Sequence, residues 1–309
     1  MNRSSQLPTT SPSRGRQPGF TVMELLIVVG VMGVLLALLL PTVQKARASA
    51  RRTACQNKLR QISLAIHGFE TSYGAFPAGK SRRSHVEAYH ELSWLRQILP
   101  YAEQAAVWSL SERALKVEPF PYFNPPHEPL GMAIPLFACP DDSRVSVPQP
   151  ASQLNGAFAG LTSYPGVMGS DYRSQDGSFV LGKRIRFADI TDGTSNTVMI
   201  GERPPTPDYN YGWWYTGMGQ DGSGSVDMLL GAREIVDPAG RFAKWNCPPT
   251  NRFKPGAPDS MCDGLHFWSL HDSGAHFALC DGSVRFMAYE SASVLEQMAT
   301  RGGGESVPN

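Results

Sequence analysis

Residues 19–24 read Gly-Phe-Thr-Val-Met-Glu, and an apolar run follows them to Leu40. Between Phe20 and Leu40 the only charged side chain is that of Glu24. At a rise of 1.5 Å per residue, a helix of this length is about 30 Å long, which is the hydrocarbon thickness of a bilayer. The run therefore predicts a transmembrane helix over residues 20–41.

The first nineteen residues have the composition of a targeting leader. They carry three arginines and no acidic residue, they are rich in Ser, Pro and Thr, and they end in a glycine directly before the apolar run. In an ordinary secretory signal the small-residue cleavage site follows the apolar region, which is then removed. Here, cleavage after Gly19 would instead leave the apolar helix on the mature protein, with Phe20 as its new N-terminus.

The sequence Gly-Phe-Thr-x-x-Glu-Leu-Leu-x-Val that begins at Gly19 resembles the processing site of type IV pilins and type II secretion pseudopilins. The resemblance implies cleavage by a prepilin peptidase, methylation of the Phe20 amine, and pairing of the Glu24 carboxylate with the N-terminus of a neighbouring subunit. Membrane energetics agree, because a carboxylate in hydrocarbon is costly and usually has a functional partner. The alternative is a plain signal anchor in which Glu24 reaches toward the interface.

A helical pattern continues beyond Pro41. Residues 42–75 are rich in basic side chains, and apolar residues recur at helical spacing between Ile62 and Phe69. This spacing predicts an amphipathic continuation of the membrane helix whose apolar face packs on the domain that follows. The net charge of +1 gives no case for nucleic acid as the main partner.

The remaining chain changes from helical to turn-rich patterns. Residues 87–108 have a second helical pattern, which Pro100 interrupts. Short apolar runs bounded by Gly, Pro, Asp and Asn then predict a turn-rich sheet. The clearest runs are residues 134–139, 178–180, 197–201 and 277–280.

The strongest local signal is a hairpin near the C-terminus. Asp281-Gly282 separates the strand-like runs 277–280 and 283–286, and Asp-Gly favours a two-residue turn in which both residues adopt positive φ. Taken together, the patterns predict an α+β protein. Its long N-terminal helix spans the membrane with its first half and packs with its second half on a mainly antiparallel β-domain over residues 76–309, outside the cytoplasm.

Several phrases extend the resemblance to one uncharacterised family. This family couples a prepilin-type N-terminus to a processing-associated domain named for a pattern of His, nine residues and Asp-Gly. The phrases are residues 137–142, 162–167, 190–197, 201–202, His271 with Asp281 and Gly282, and 299–305. The role of the family is not established, so the resemblance implies placement rather than mechanism. Around His271 the chain departs from the pattern, because Ser273-Gly274-Ala275-His276 stands where many members have consecutive glycines.

Two groups of side chains have the chemistry of metal ligands. The first group offers nitrogen and oxygen ligands and consists of His266, His271, Asp272, His276 and Asp281. The second group offers hard oxygens of the kind that calcium prefers and consists of Asp189, Asp192 and Asn196. Neither group has the spacing of a recognised closed site, so no metal and no other cofactor is predicted. The alternative for residues 190–197 is a turn in which Asp and Asn side chains bond their own backbone while Gly193 adopts positive φ.

No catalytic motif is recognised. Ser195 lacks the Gly-x-Ser-x-Gly context of a strand-to-helix nucleophile, and no Ser, His and acid set can be assembled from the sequence. We therefore predict no enzyme. A hydrolase with Asp192 or His271 in its site would have to lose activity when those residues are replaced.

Five cysteines would lie outside the cytoplasm in this topology, where disulfides persist. Cys247 and Cys262 enclose a Pro-rich loop of low apolar content, so a bridge between them is favoured. Cys139 and Cys280 are a second possible pair, although both lie in apolar runs and buried thiols are the alternative. Cys55 is then left over, and zinc is disfavoured because the sequence has no Cys-x-x-Cys pair.

These features predict a non-enzymatic, pilin-like or pseudopilin-like subunit. It would be anchored in the cytoplasmic membrane by one span and assemble with other pilin-like subunits into a filament or a type II secretion-like structure. The alternative is an anchored extracytoplasmic binding protein that uses the leader only for processing. In that case, exposed side chains of Trp213-Trp214-Tyr215 would suit stacking on glycans, unless they are core aromatics.

Overall fold

A computed structural model of the chain describes residues 21–82 and 91–304. The predicted cleavage site at Gly19 and Phe20 lies outside the described residues, as do residues 87–90 of the second helical pattern. The chain divides into two compact units, residues 1–48 and residues 49–309.

The described part of the first unit, residues 21–48, belongs mainly to helix α1 (Val22–Tyr73), and all of its side chains are exposed. These side chains are mostly apolar, which is the composition of a membrane span. Within the described chain, α1 is the helix that is long and apolar enough to be a candidate membrane span. The predicted N-terminal apolar helix is therefore confirmed as a candidate span.

Helix α1 begins with a capping box. The Thr21 hydroxyl accepts a hydrogen bond from the Glu24 backbone N–H (3.2 Å), and the Glu24 Oε2 accepts one from the Thr21 N–H (2.9 Å). The Thr21 hydroxyl also donates to Glu24 Oε2 (2.8 Å). This reciprocal pattern satisfies backbone donors that a helix start otherwise leaves without partners.

The helix ends where the sequence predicts. Gly74, with φ of +71°, follows its last residue and donates its N–H to the Glu70 carbonyl (2.7 Å). A glycine with left-handed backbone is a common helix terminator, because no Cβ opposes the conformation.

In the second unit, one face of α1 forms part of the main hydrophobic core. The buried positions recur at helical spacing: Cys55, Leu59, Ile62, Ala65, Ile66 and Phe69. Complete burial of a large apolar side chain contributes roughly 1.5–3 kcal/mol relative to exposure. The predicted packing face between Ile62 and Phe69 is confirmed.

The core of the second unit is built around a five-stranded sheet of order β5-β3-β4-β8-β9. Its strand pairs are antiparallel except for β3 with β5, which are parallel. The described chain also has the two-stranded sheets β1-β2 and β6-β7. The strands are β1 (Gln149–Pro150), β2 (Phe158–Ala159), β3 (Gly166–Val167), β4 (Val198–Gly201), β5 (Leu229–Leu230), β6 (Arg233–Ile235), β7 (Thr250–Arg252), β8 (Gly274–Leu279) and β9 (Val284–Ala288). The α+β class with a mainly antiparallel sheet is confirmed.

The second helical pattern is interrupted at Pro100, as the sequence predicts. It consists of a short helix α2 (Trp94–Gln97), a 3₁₀ turn at Leu99–Tyr101 and a helix α3 (Ala105–Val117). A fourth helix, α4 (Ala292–Met298), follows the last strand.

Two of the predicted strands are wrong. Residues 134–139 contain a 3₁₀ helix at Pro135–Phe137, because proline favours the first turn of a helix and cannot donate a hydrogen bond in a sheet. In residues 178–180, Val180 forms only an isolated bridge, to Lys183. Residues 197–201 and 277–280 do contain strands, β4 and the second half of β8.

The predicted hairpin is present as β8 and β9, but its turn type differs from the prediction. Only Gly282 has positive φ (+85°), and its N–H donates to the Leu279 carbonyl (2.9 Å). Leu279 also donates to the Ser283 carbonyl (2.8 Å), which makes a three-residue loop of Cys280, Asp281 and Gly282. This is the turn that uses a single left-handed glycine as a bulge.

Two disulfides cross-link the second unit. Cys247 is joined to Cys262, the pair that the sequence favours. Cys139 is joined to Cys55 rather than to Cys280, so that alternative is wrong, and Cys55 is not left over. Cys280 is a buried free thiol whose pKa is raised by burial.

We expect the two disulfides to differ in their contribution to stability, because they close loops of 84 and 15 residues. In the chain-entropy account, removing the longer crosslink lowers the free energy of unfolding by about 4–5 kcal/mol and removing the shorter one by about 3 kcal/mol. The measurement is thermal unfolding of the full chain in detergent for Cys55→Ala/Cys139→Ala and, as the matched control, Cys247→Ala/Cys262→Ala. A larger loss in the control pair would contradict the expectation.

Candidate functional site

Side chains from three of the family-like phrases meet around His271, on the loop before β8. The His271 Nδ1 atom lies 2.8 Å from Asp141 Oδ2. Its Nε2 atom lies 3.3 Å from Glu202 Oε1 and 3.8 Å from Cys139 Sγ. The phrases at residues 137–142, at 201–202 and at His271 therefore form one buried cluster, which we call the His271 cluster (Cys55, Cys139, Asp141, Glu202, His271 and His276).

Glu202 is the buried acid of this cluster. It directly follows β4 and is 2% exposed. Its Oε2 accepts a hydrogen bond from the His276 backbone N–H (2.7 Å) and lies 3.2 Å from His276 Nδ1. Its Oε1 has no short hydrogen bond among the described residues, and its polar contact is the 3.3 Å one with His271 Nε2.

Burial and neighbouring charges have opposite effects on the pKa of Glu202. Burial raises the pKa of the carboxyl, but hydrogen bonds from His271 and His276 and their positive charge outweigh it, so the pKa of Glu202 is lowered. Removing one partner from such a buried pair typically costs about 3–5 kcal/mol, because the other group is left buried without compensation.

His271 lies between two acids, Asp141 and Glu202. Burial lowers the pKa of its imidazole, whereas the hydrogen bond and charge of Glu202 and the charge of Asp141 raise it, and the net direction is upward. The backbone N–H of His271 donates to the Ser269 hydroxyl (3.1 Å), which in turn donates to the Gly274 carbonyl (2.7 Å). The imidazole is therefore fixed from both its ring and its backbone.

The segment that carries Cys139 and Asp141 is fastened to α1. Arg51 forms an ion pair with Asp141, and Lys58 donates to the carbonyls of Pro135 (2.7 Å) and Ala138 (2.6 Å). The Cys55–Cys139 disulfide adds a covalent link to the same helix.

The glycine of the Gly-Glu phrase has a packing role. A Cβ on Gly201 would lie 2.5 Å from a ring atom of Phe277 and 2.6 Å from one of Phe267. Only glycine allows both rings to close over the strand end from which Glu202 extends.

Asp281 and Gly282 do not join the His271 cluster. They lie beyond the other end of β8, a six-residue strand of roughly 20 Å. The Asp281 carboxylate accepts the Ser283 N–H (2.8 Å), and its own N–H donates to the Thr194 carbonyl (3.0 Å). The nine residues between His271 and Asp281 contain strand β8. The spacing therefore sets the distance between a buried histidine at one end of the strand and a hairpin turn at the other.

The transition-metal group considered from the sequence is thus split. His271 and His276 share Glu202, whereas His266 Nε2 lies 2.8 Å from Asp263 Oδ1. Asp272 is exposed and Asp281 belongs to the hairpin turn.

The oxygens near Asp192 serve local hydrogen bonds. The Asp192 carboxylate accepts the N–H groups of Gly303 (2.7 Å) and Gly304 (3.0 Å), and Asn196 donates to the Asp192 carbonyl (3.1 Å). Gly193 has φ of +92°. This arrangement agrees with the turn interpretation, and it joins the 190–197 phrase to the C-terminal glycines.

The three aromatic residues considered for glycan stacking are core residues. Trp213, Trp214 and Tyr215 are at most 3% exposed, which agrees with the core interpretation and not with exposure for glycan stacking. Trp214 donates to the Met132 carbonyl (2.7 Å), and the Tyr215 hydroxyl bonds Ser111 (2.9 Å).

A cavity of about 410 Å³ lies beside Trp213. Its walls combine aromatic rings with amides and charged groups, among them Tyr122, Phe123, Asn124, Asn210, Asp227 and Arg241. The carboxyl of Asp227 is buried, which raises its pKa to about 7 although the N–H groups of Gly212 and Gly219 act in the opposite direction.

Sequence reasoning missed the role of two residues in the His271 cluster. Glu202 and Asp141 stand in the family-like phrases, so a signal for both was present, but not their convergence on His271. Cys55 carries no local signal, because its partner is 84 residues away.

One part of the chain is similar to a known protein. A stretch of 65 residues is 31% identical to the type II secretion system core protein G of Pseudomonas aeruginosa. The stretch covers 21% of this chain and 46% of that protein, so the chain spans about half the length of this curated relative. No solved structure matches the chain.

A family profile covers most of the chain, from residue 44 to residue 293. The chain belongs to the family described as "Protein of unknown function (DUF1559)", SBP_bac_10.

Proposed function

We propose that this protein is a pilin-like, membrane-anchored, non-enzymatic subunit that is cleaved after Gly19, methylated at Phe20 and assembled through its N-terminal helix. The supporting observation is the start of α1, where one carboxylate, Glu24, heads a segment of exposed apolar side chains. The stretch similar to type II secretion system core protein G supports the same class of subunit. The assembly would be a filament or a type II secretion-like structure.

The geometry of Glu24 suits a partner on a neighbouring chain. Within the described residues, the hydrogen bonds of its carboxylate all involve Oε2 and stay within the capping box. Oε1 remains for a positively charged amine, and the amine exposed by cleavage at Phe20 would be such a group. Pairing would neutralise a charge that is costly in hydrocarbon, so it would favour association of the helices.

The partners of the proposed pathway follow from this reading. A prepilin peptidase would cut the leader, and other pilin-like subunits, of this or another chain, would surround the helix. The protein would cross the cytoplasmic membrane once, with the second unit in the periplasm or at the cell surface. Two disulfides in that unit suit an oxidising compartment.

An anchored binding protein is the second candidate function, and the cavity beside Trp213 favours it. Aromatic rings and amides side by side suit a polar ligand with apolar faces, such as a glycan. In this reading the leader serves processing alone, and the protein acts without assembly.

Processing is tested by the intact mass of the membrane-extracted protein from cells with an active prepilin peptidase. Wild type is expected as a chain that begins at Phe20 and carries the mass of one added methyl group. Gly19→Ala is expected to remain uncut, because the cleavage site has lost its glycine. Gly30→Ala is the matched control, since a Cβ there has no atom within 4 Å, and it should be processed like wild type.

A wild-type chain that is uncut, or that is cut after the apolar run, would contradict the processing proposal. A Gly19→Ala chain that still begins at a methylated Phe20 would contradict the assignment of the cleavage site.

Assembly is tested by substitutions that separate the charge of Glu24 from its capping bonds. Glu24→Gln keeps a side chain that can complete a capping box but removes the charge. Thr21→Val removes the capping hydroxyl and keeps the charge, at a cost of about 0.5–2 kcal/mol in helix stability. When differently tagged copies are co-expressed and extracted, we expect Glu24→Gln to abolish their co-isolation and Thr21→Val to retain it.

The same experiment distinguishes the two candidate functions. Co-isolation of Glu24→Gln at the same level as an assembled wild type would refute charge-driven assembly. Wild-type copies that do not co-isolate, with normal display of the second unit in both wild type and Glu24→Gln, would favour the anchored binding protein.

A further inference from the structure

Four side chains of the His271 cluster have the geometry of a metal site. Cys55, Cys139, His271 and Glu202 each offer one ligand atom, these atoms lie within 4.8 Å of one another, and all four residues are buried. We propose that, when the Cys55–Cys139 disulfide is reduced, these four side chains bind one divalent transition-metal ion of the zinc type.

Two of the distances between ligand atoms already suit tetrahedral coordination, and reduction of the disulfide would let the two sulfur atoms separate. At zinc bond lengths of about 2.0–2.3 Å, tetrahedral ligand atoms lie about 3.3–3.8 Å from one another. His271 Nε2 lies 3.3 Å from Glu202 Oε1 and 3.8 Å from Cys139 Sγ. Two thiolates, an imidazole and a carboxylate are all ligand types that zinc accepts.

A carboxylate behind His271 fixes the orientation of its imidazole. Asp141 Oδ2 lies 2.8 Å from His271 Nδ1, which directs the other ring nitrogen, Nε2, at the cluster. A carboxylate behind a histidine is the usual support of a zinc ligand. Asp141 in turn forms an ion pair with Arg51.

Glu202 supplies an independent observation. The residue is 2% exposed, and its Oε1 has only a long polar contact, 3.3 Å from His271 Nε2, whereas Oε2 accepts the His276 N–H at 2.7 Å. A buried carboxylate oxygen that lacks a short hydrogen bond is costly, and a bound cation would satisfy it.

A small cavity and an open groove adjoin different members of the site. A cavity of about 10 Å³, roughly one water-sized sphere, lies against Cys139 and Glu202. An open groove of about 710 Å³, lined in part by Trp268, His271 and Ser273, borders the cluster.

Metal and disulfide exclude each other because they use the same two sulfur atoms. A phosphine reductant supplies two electrons to the S–S bond and becomes a phosphine oxide, with its oxygen taken from water. The two sulfurs take up the two protons of that water and become thiols. Metal binding then releases the thiol protons as the metal–sulfur bonds form.

The test uses the full chain in detergent, reduced with a phosphine, in a Cys247→Ala/Cys262→Ala background that removes the other disulfide. Cobalt(II) is titrated as the probe, because tetrahedral thiolate sites give intense visible bands and a sulfur-to-cobalt charge-transfer band. We expect one cobalt per reduced chain with this spectrum, displaced by zinc, and none in the oxidised chain.

Variants locate the ligands. Cys139→Ser is expected to remove the charge-transfer band of a two-thiolate site. Asp141→Asn is expected to weaken cobalt binding by about 10–100-fold, because it removes the carboxylate that supports His271. His276→Gln is the matched control, because His276 contacts Glu202 without being a ligand, and its cobalt spectrum should keep the tetrahedral thiolate form.

A second measurement needs no substitution in the cluster. In the reduced wild-type chain, zinc should protect Cys55 and Cys139 from alkylation by N-ethylmaleimide and leave the alkylation of Cys247 and Cys262 unchanged. An octahedral cobalt spectrum without charge transfer, no bound metal, or protection of Cys247 and Cys262 alone would overturn the proposal.

Discussion

The contact between Glu202 and His271 is the interaction on which the second unit depends. A carboxylate that is 2% exposed must have cationic or hydrogen-bonding partners, and the fold supplies them from segments that are distant in sequence. Glu202 follows β4 and His271 precedes β8, while Asp141 reaches His271 from a loop that α1 holds through Arg51. The cluster thereby ties the sheet, the loop and the helix together, and the Cys55–Cys139 disulfide reinforces the same junction.

The two parts of helix α1 differ in where their apolar side chains lie. From Leu25 to Leu40 it exposes apolar side chains on all faces, which suits hydrocarbon, and from Cys55 to Phe69 it buries a single face in a protein core. At its start, the Glu24 carboxylate stabilises the helix through Thr21. The one acid of the apolar segment therefore serves local structure in the single chain and, in the proposed assembly, also the contact between chains.

The sequence was most informative where structure is local. Helical spacing located the packing face of α1, and Asp281-Gly282 located the hairpin, since both signals depend on neighbouring residues. Residues 134–139 were mistaken for a strand because apolar content outweighed the effect of Pro135. The link between Cys55 and Cys139 spans 84 residues and depends on tertiary packing, so no spacing rule reveals it. The family-like phrases supplied most members of the His271 cluster but gave no sign that Asp281 would lie outside it.

The most direct measurement is a cross-link between the mature N-terminus and the Glu24 carboxylate of another copy. Cells that express ¹⁴N- and ¹⁵N-labelled protein would be fused or their membranes mixed under assembly conditions, then treated with a membrane-permeant carbodiimide, which joins an amine to a carboxylate in contact with it. The account predicts peptides of mixed isotope composition in which the Phe20 nitrogen is bonded to the Glu24 side chain. Cross-links confined to single-isotope peptides, or none at all in processed protein, would contradict assembly through this pair.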